Sequence, residues 1–102
     1  MDEKVACRTP TKGRDGVTNI PKWKFALLRT AILDAVGAQG LEFSHLQDAV
    51  RSRISDADLD KLGSLGWHVT SVKLEMEVRG EIERVPGTKP QRLKLGKGQN
   101  LR

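Results

Sequence analysis

The stretch from Leu65 to Gly80 constrains the fold more than any other part of the chain. Leu65, Val69, Val72 and Met76 recur at i, i+4, i+7 and i+11. At about 100° per residue these four side chains fall in one narrow sector, so the segment reads as a helix with one face in a core. Gly80 is placed to end it, in the left-handed conformation that commonly follows a helix C-cap. Ile82 and Val85 then alternate with Glu83 and Arg84, as in a strand with one buried face. Arg92-Leu93-Lys94-Leu95 alternates again, leucines inward and cations outward. Pro90 is tolerable only at the start of that strand. Two such strands around the Pro86–Pro90 loop predict a β-hairpin.

Upstream, Pro21 suits a helix start because its missing N–H is not needed there. Phe25, Leu28, Ile32 and Val36 form a continuous stripe, widened by Leu27, Ala31 and Ala35, with Gly37 as the stop. Leu41-Glu42-Phe43 predicts a short strand. Ser44 and Gln47 have the S-x-x-Q spacing of a capping box, and a second helix follows with Leu46, Ala49, Val50 and Ile54 on one face. Ser55-Asp56-Ala57-Asp58 reads as another cap, opening a short turn that buries Leu59 and Leu62 before Gly63. Residues 1–20 read as an irregular extension with turn signals at Thr9-Pro10, Lys12-Gly13 and Asp15-Gly16. Within it, Val5-Ala6-Cys7 and Val17-Thr18 are candidate arms of a short hairpin. Residues 96–102 read as a flexible basic tail.

At 102 residues the chain has the size of one domain. Aromatic residues make up 4% and hydrophobic residues 37%, so the expected core is aliphatic. The longest apolar run is Phe25-Ala26-Leu27-Leu28, far short of the roughly 20 residues a membrane span needs. The first residues lack the order of a signal peptide. One cysteine, Cys7, cannot form an internal disulfide. These features lead us to expect a cytoplasmic protein without a membrane partner.

The order helix, short strand, helix, helix, hairpin is that of a winged helix-turn-helix. Met76-Glu77-Val78-Arg79-Gly80-Glu81-Ile82-Glu83-Arg84 resembles the L-x-x-x-G-x-I-x-R junction between recognition helix and wing in many bacterial regulators. Phe43-Ser44-His45-Leu46 resembles the start of their second helix. The resemblance covers about residues 21–95 and implies an α+β fold with three main helices, a short strand and a C-terminal wing. Gly66-Trp67 and Val72-Lys73-Leu74-Glu75-Met76-Glu77 are similar to segments of a small bacterial family of uncharacterised proteins, which implies no function. One departure bears on docking: the turn around Asp56–Leu62 stands where three or four residues usually join the two helices.

Charge is uneven. Residues 1–24 hold six Lys/Arg against three acids, residues 25–83 hold six against ten, and residues 84–102 hold six and no acid. A basic end on an acidic body is the footprint expected of a polyanion-binding protein, or of a solvated tail. In a winged helix the third helix enters the major groove and the wing touches phosphates. Thr70, Ser71 and Lys73 are the candidate groove contacts, and Lys89, Arg92 and Lys94 the candidate phosphate contacts, with Lys22 and Lys24 as additions. From Gly66 to Val78 there is no Arg, Asn or Gln, and Glu75 and Glu77 would repel phosphate. The expectation is therefore a DNA-binding regulator of double-stranded DNA with weak sequence specificity.

Trp67, Leu74 and Val78 form a second apolar stripe about 180° from the first. A helix that is apolar on two sides is covered on both. The cover is the N-terminal segment, a second subunit of a homodimer, or another protein. The rival function is thus a protein-interaction or dimerisation module that does not bind DNA. Catalysis finds no motif. His45 and His68 stand alone and read as surface residues, and neither a metal nor a cofactor is expected. Asp56, Asp58 and Asp60 alternate like a calcium loop, but Lys61 and Trp67 occupy its glycine and glutamate positions. Cys7 reads as an inert thiol. No small-molecule ligand is inferred.

Overall fold

The computed structural model describes residues 3–9, 13–87 and 89–96. The expected flexible tail, apart from Gly96, lies outside them, as do Pro10, Lys12 and Thr88. The elements follow the order β1 (Lys4–Thr9), β2 (Gly13–Pro21), α1 (Lys22–Val36), β3 (Leu41–Glu42), α2 (Leu46–Arg51), α3 (Asp56–Leu62), α4 (Leu65–Val78), β4 (Ile82–Arg84) and β5 (Arg92–Leu95). Among the described residues, four helices thus carry two small antiparallel sheets, one of β1 and β2, the other in the order β3-β5-β4.

The two stripes read from the sequence form the centre of the core. Phe25, Leu28, Ile32 and Val36 of α1 and Leu65, Val69, Val72 and Met76 of α4 are all buried. They close against Leu46 and Val50 of α2, Leu62 of α3, and Ile82 and Leu93 of the second sheet. α4 ends in a Schellman arrangement. The Gly80 N–H donates to Glu77 O at 3.1 Å and the Glu81 N–H to Met76 O at 2.9 Å. Gly80 adopts φ 76°, where a Cβ would be strained.

In the N-terminal extension the candidate arms Val5-Ala6-Cys7 and Val17-Thr18 do pair, within longer strands than the irregular reading allowed. β1 and β2 form a hairpin in the register Val5↔Ile20 and Cys7↔Thr18, with a bulge beyond Cys7. Alternation explains it: Cys7 and Ile20 enter the core, Val5 packs against it, and Lys4, Ala6 and Asn19 face outward. The Lys22 N–H donates to Glu3 O at 2.8 Å, tying the hairpin to the first turn of α1.

The capping box at Ser44 is also not what forms. Phe43–His45 is a single 3₁₀ turn, α2 starts after His45 with no side-chain cap, and the Ser44 hydroxyl instead donates to Glu42 Oε1 at 2.7 Å. Gln47 is thereby left exposed. The caps that do form are Ser55, which accepts from the Asp58 N–H at 3.2 Å, and Ser64, which accepts from the Trp67 N–H at 3.4 Å. The turn around Asp56–Leu62 is helix α3, with Asp56 and Asp58 near its positive end.

Candidate nucleic-acid interface

The surface in question has three parts: the outward side of α4, the hairpin of β4 and β5 (the candidate wing), and the turn before α2 that joins them. The wing is registered Ile82↔Leu95, Glu83↔Lys94 and Arg84↔Leu93, and the Val85 N–H donates to Arg92 O at 2.9 Å. Leu93 is fully buried and Leu95 packs against the core, so Arg92 and Lys94 face outward and are exposed. β3 pairs with β5 through Leu41↔Leu93 and Glu42↔Arg92, and the Phe43 N–H donates to Gln91 O at 2.8 Å. Phe43 therefore ties the loop end of the hairpin to the start of α2.

On α4 the predicted contacts separate. Thr70 is exposed and Ser71 half-buried. Lys73 is not on the outward face: it is 3% exposed. Its ammonium lies 4.5 Å from the centroid of the Phe43 ring and pairs with Glu77. The sequence spacing puts Lys73 on the flank of α4, and the turn at Phe43 covers that flank, so this cation cannot donate to a phosphate. Lys89 at the wing tip is exposed. Lys94 lies 3.8 Å from Glu83 across the strand pair, a solvated pairing that costs little to break. Neither Lys89 nor Arg92 meets a carboxylate among the described residues. Lys22 pairs with Glu3 on the surface at 3.1 Å, and Lys24 donates to Leu62 O at 3.1 Å, capping α3 rather than serving the wing.

The acids expected to repel phosphate are neutralised. Glu75 is 1% exposed. It accepts from the Arg8 backbone N–H at 2.8 Å, from Arg8 Nε at 3.0 Å and Nη2 at 2.8 Å, and from Arg79 Nε at 2.7 Å. Burial pushes its carboxyl upward, but the two guanidinium groups outweigh burial and hold it down at about 2. Burial, with Glu75 beside it, raises the nearby Cys7 thiol to about 11, which keeps it protonated and inert. Glu77 is flanked by Lys73 and by Arg84 Nε at 2.9 Å. Lys73–Glu77 and Glu75–Arg79 stand at i,i+4 spacing, but the Arg8 contact was not legible in the sequence, because Arg8 lies 67 positions from Glu75.

The second apolar stripe remains open. Trp67 is 51% and Val78 37% exposed, with Leu74 half-buried between them. Among the described residues β1 meets α4 through Arg8 and Glu75, and Trp67 and Val78 stay exposed. His68, read as a surface residue, is buried. Its Nδ1 lies 2.6 Å from Ser64 O, and since a carbonyl only accepts, that nitrogen carries the proton. The imidazole stands perpendicular to the Trp67 ring at 4.7 Å between centroids. Gln47 lies over Gly66, where an added Cβ would sit 3.2 Å from its Oε1. With Phe43, Ser44, Leu46, Val69 and Thr70 it lines a cleft of about 200 Å³. Gln47 was missed in the sequence because the capping-box reading assigned it to the backbone.

Among the described residues, no helix is long and apolar enough to cross a membrane, and no three His, Cys, Asp or Glu converge to hold a metal ion. A protein-family model described as a family of unknown function, DUF6958, matches residues 4–93. No solved structure matches the chain.

Proposed function

The chain belongs to the DUF6958 family, a family of unknown function, and from that premise we propose that it is a small winged-helix protein that binds nucleic acid. Its partner in this reading is double-stranded DNA, its role that of a transcriptional regulator with weak sequence specificity. The helix, strand, helices and hairpin in this order, with sheet order β3-β5-β4, support the winged-helix assignment. The observation that carries the binding reading is the distribution of free charge. Arg29, Arg51, Arg53 and Arg79 of the helical body, and Arg84 and Lys94 of the hairpin, each meet a carboxylate, whereas Lys89 and Arg92 of the hairpin meet none among the described residues. Unpaired cations on an exposed hairpin attract phosphate without losing an existing ion pair. Thr70 and Ser71 add limited groove contact, and the Gln47 carboxamide lines a cleft with Thr70.

The test is a fluorescence or mobility-shift titration with a generic duplex at low and moderate salt. Salt-sensitive binding that weakens in the Lys89→Ala, Arg92→Ala, Lys94→Ala triple variant supports the reading. Absence of binding at low salt overturns it.

A second reading is favoured by the half-exposed Trp67: a module that docks or dimerises through Trp67, Leu74 and Val78 and leaves DNA alone. Light scattering that shows a dimer, abolished by Trp67→Ala, together with no DNA binding, would establish that reading instead.

A further inference from the structure

The cleft at the start of α2 and the tryptophan beside it have no role in gripping a phosphate backbone. The cleft holds about 200 Å³, below the roughly 300–1,000 Å³ of pockets that enclose drug-sized ligands, so it suits one ring-sized group. Its floor is apolar, from Phe43, Leu46 and Val69, and its rim carries the Ser44 and Thr70 hydroxyls and the Gln47 carboxamide. That combination matches a flat heteroaromatic ring with hydrogen-bonding edges. Trp67 is one turn from Thr70 on the same helix, and Gln47 lies over Gly66, the residue next to Trp67. The Trp67 ring is 51% exposed and held by the perpendicular His68, which the Ser64 carbonyl fixes in turn. A large aromatic surface set in place and left open is what base stacking requires.

We infer that this surface prefers nucleic acid with unpaired bases over intact duplex, one base entering the Ser44–Gln47–Thr70 cleft and its neighbour stacking on Trp67. The inference rests on the nucleic-acid reading and narrows its substrate class. In a closed duplex, base faces are covered by their neighbours and Trp67 has nothing to stack on. A single strand exposes both faces and edges. The wing supplies the phosphate contacts in either case, through Lys89 and Arg92. The Phe43 N–H bond to Gln91 places the loop end of the β4–β5 hairpin directly beside the cleft.

The experiment compares a mixed-sequence single strand of about 20 nucleotides with its own duplex, by anisotropy titration of the full chain at fixed salt. The expected result is binding of the single strand tenfold or more tighter. Trp67→Ala should reduce that preference with little effect on duplex affinity, Gln47→Ala should weaken the single strand more than the duplex, and Trp67→Phe should retain part of the preference. Both positions are on the surface, and circular dichroism checks that each variant folds. The Lys89→Ala, Arg92→Ala pair should weaken both ligands alike. Equal or tighter binding of duplex, or a preference that survives both alanine variants, overturns the inference and leaves the duplex reading standing. Binding of neither ligand overturns both.

Discussion

A carboxylate at 1% exposure keeps its charge only because two guanidinium groups reach it from different elements, Arg8 of β1 and Arg79 just past α4. The Glu75 carboxyl sits at about 2 in the fold against an ordinary 4.5. Its value is depressed on folding, so the stability it contributes is fully present above about 4.5 and is lost as pH falls toward about 2. Thermal melts should therefore show wild type losing stability over that window more steeply than Glu75→Gln, and equal slopes would remove Glu75 from the account. Either arginine alone leaves the carboxylate one partner. Removing both, in Arg8→Ala with Arg79→Ala, leaves a bare buried charge and should cost about 3–5 kcal/mol by urea denaturation. Lys73 makes the complementary point. Its position on the flank of α4 was readable from spacing, but what covers that flank was not, because Phe43 arrives from 30 residues upstream through the β3–β5 pairing. Sequence periodicity says which side a residue faces, and only the fold says what stands opposite.

Elements with a strong period were legible. Four apolar positions at helical spacing in α1 and again in α4 have no other way to be buried together, and all eight are buried. The C-terminal hairpin followed from its alternation, with Leu93 inward and Arg92 and Lys94 outward. The weaker hairpin of β1 and β2 was only hinted at, since its inward positions are a few small or medium side chains such as Val5, Cys7 and Ile20, too few to assert a period of two. The false capping box at Ser44 has a different cause. A 3₁₀ turn of three residues satisfies the same backbone groups that the serine would have capped. The junction of helix and wing is the least tolerant element. A Cβ built on Gly96 would lie 2.2 Å from the Gly80 carbonyl oxygen, and Gly96 also donates its N–H to Glu81 O at 2.9 Å. Gly96→Ala must displace backbone at the point where β5 meets the end of α4. It should cost about 1–3 kcal/mol, measured as a lowered denaturation midpoint. A neutral result would mean that the wing base is looser than this geometry requires.

At the scale of the whole molecule, the N-terminal hairpin belongs to the domain. Ile20 is fully buried in the same core as α1 and α4, and the family match begins at residue 4. Ile20→Ala should lower stability by about 2–5 kcal/mol in one cooperative transition, whereas a separate early transition would show that the hairpin melts by itself. The charge pattern also changes meaning at this scale. Read along the chain, an acidic middle opposes a basic end. In the fold, Glu75 and Glu77 are matched by arginines and a lysine, and Lys89 and Arg92 of the hairpin meet no carboxylate among the described residues. The salt dependence of DNA affinity tests that redistribution most directly. Lys89→Ala with Arg92→Ala should flatten the slope of log affinity against log salt by roughly 0.9 for each phosphate no longer neutralised, while Lys73→Met leaves the slope at its wild-type value. A slope unchanged by the wing variant, or flattened by Lys73→Met, would contradict it.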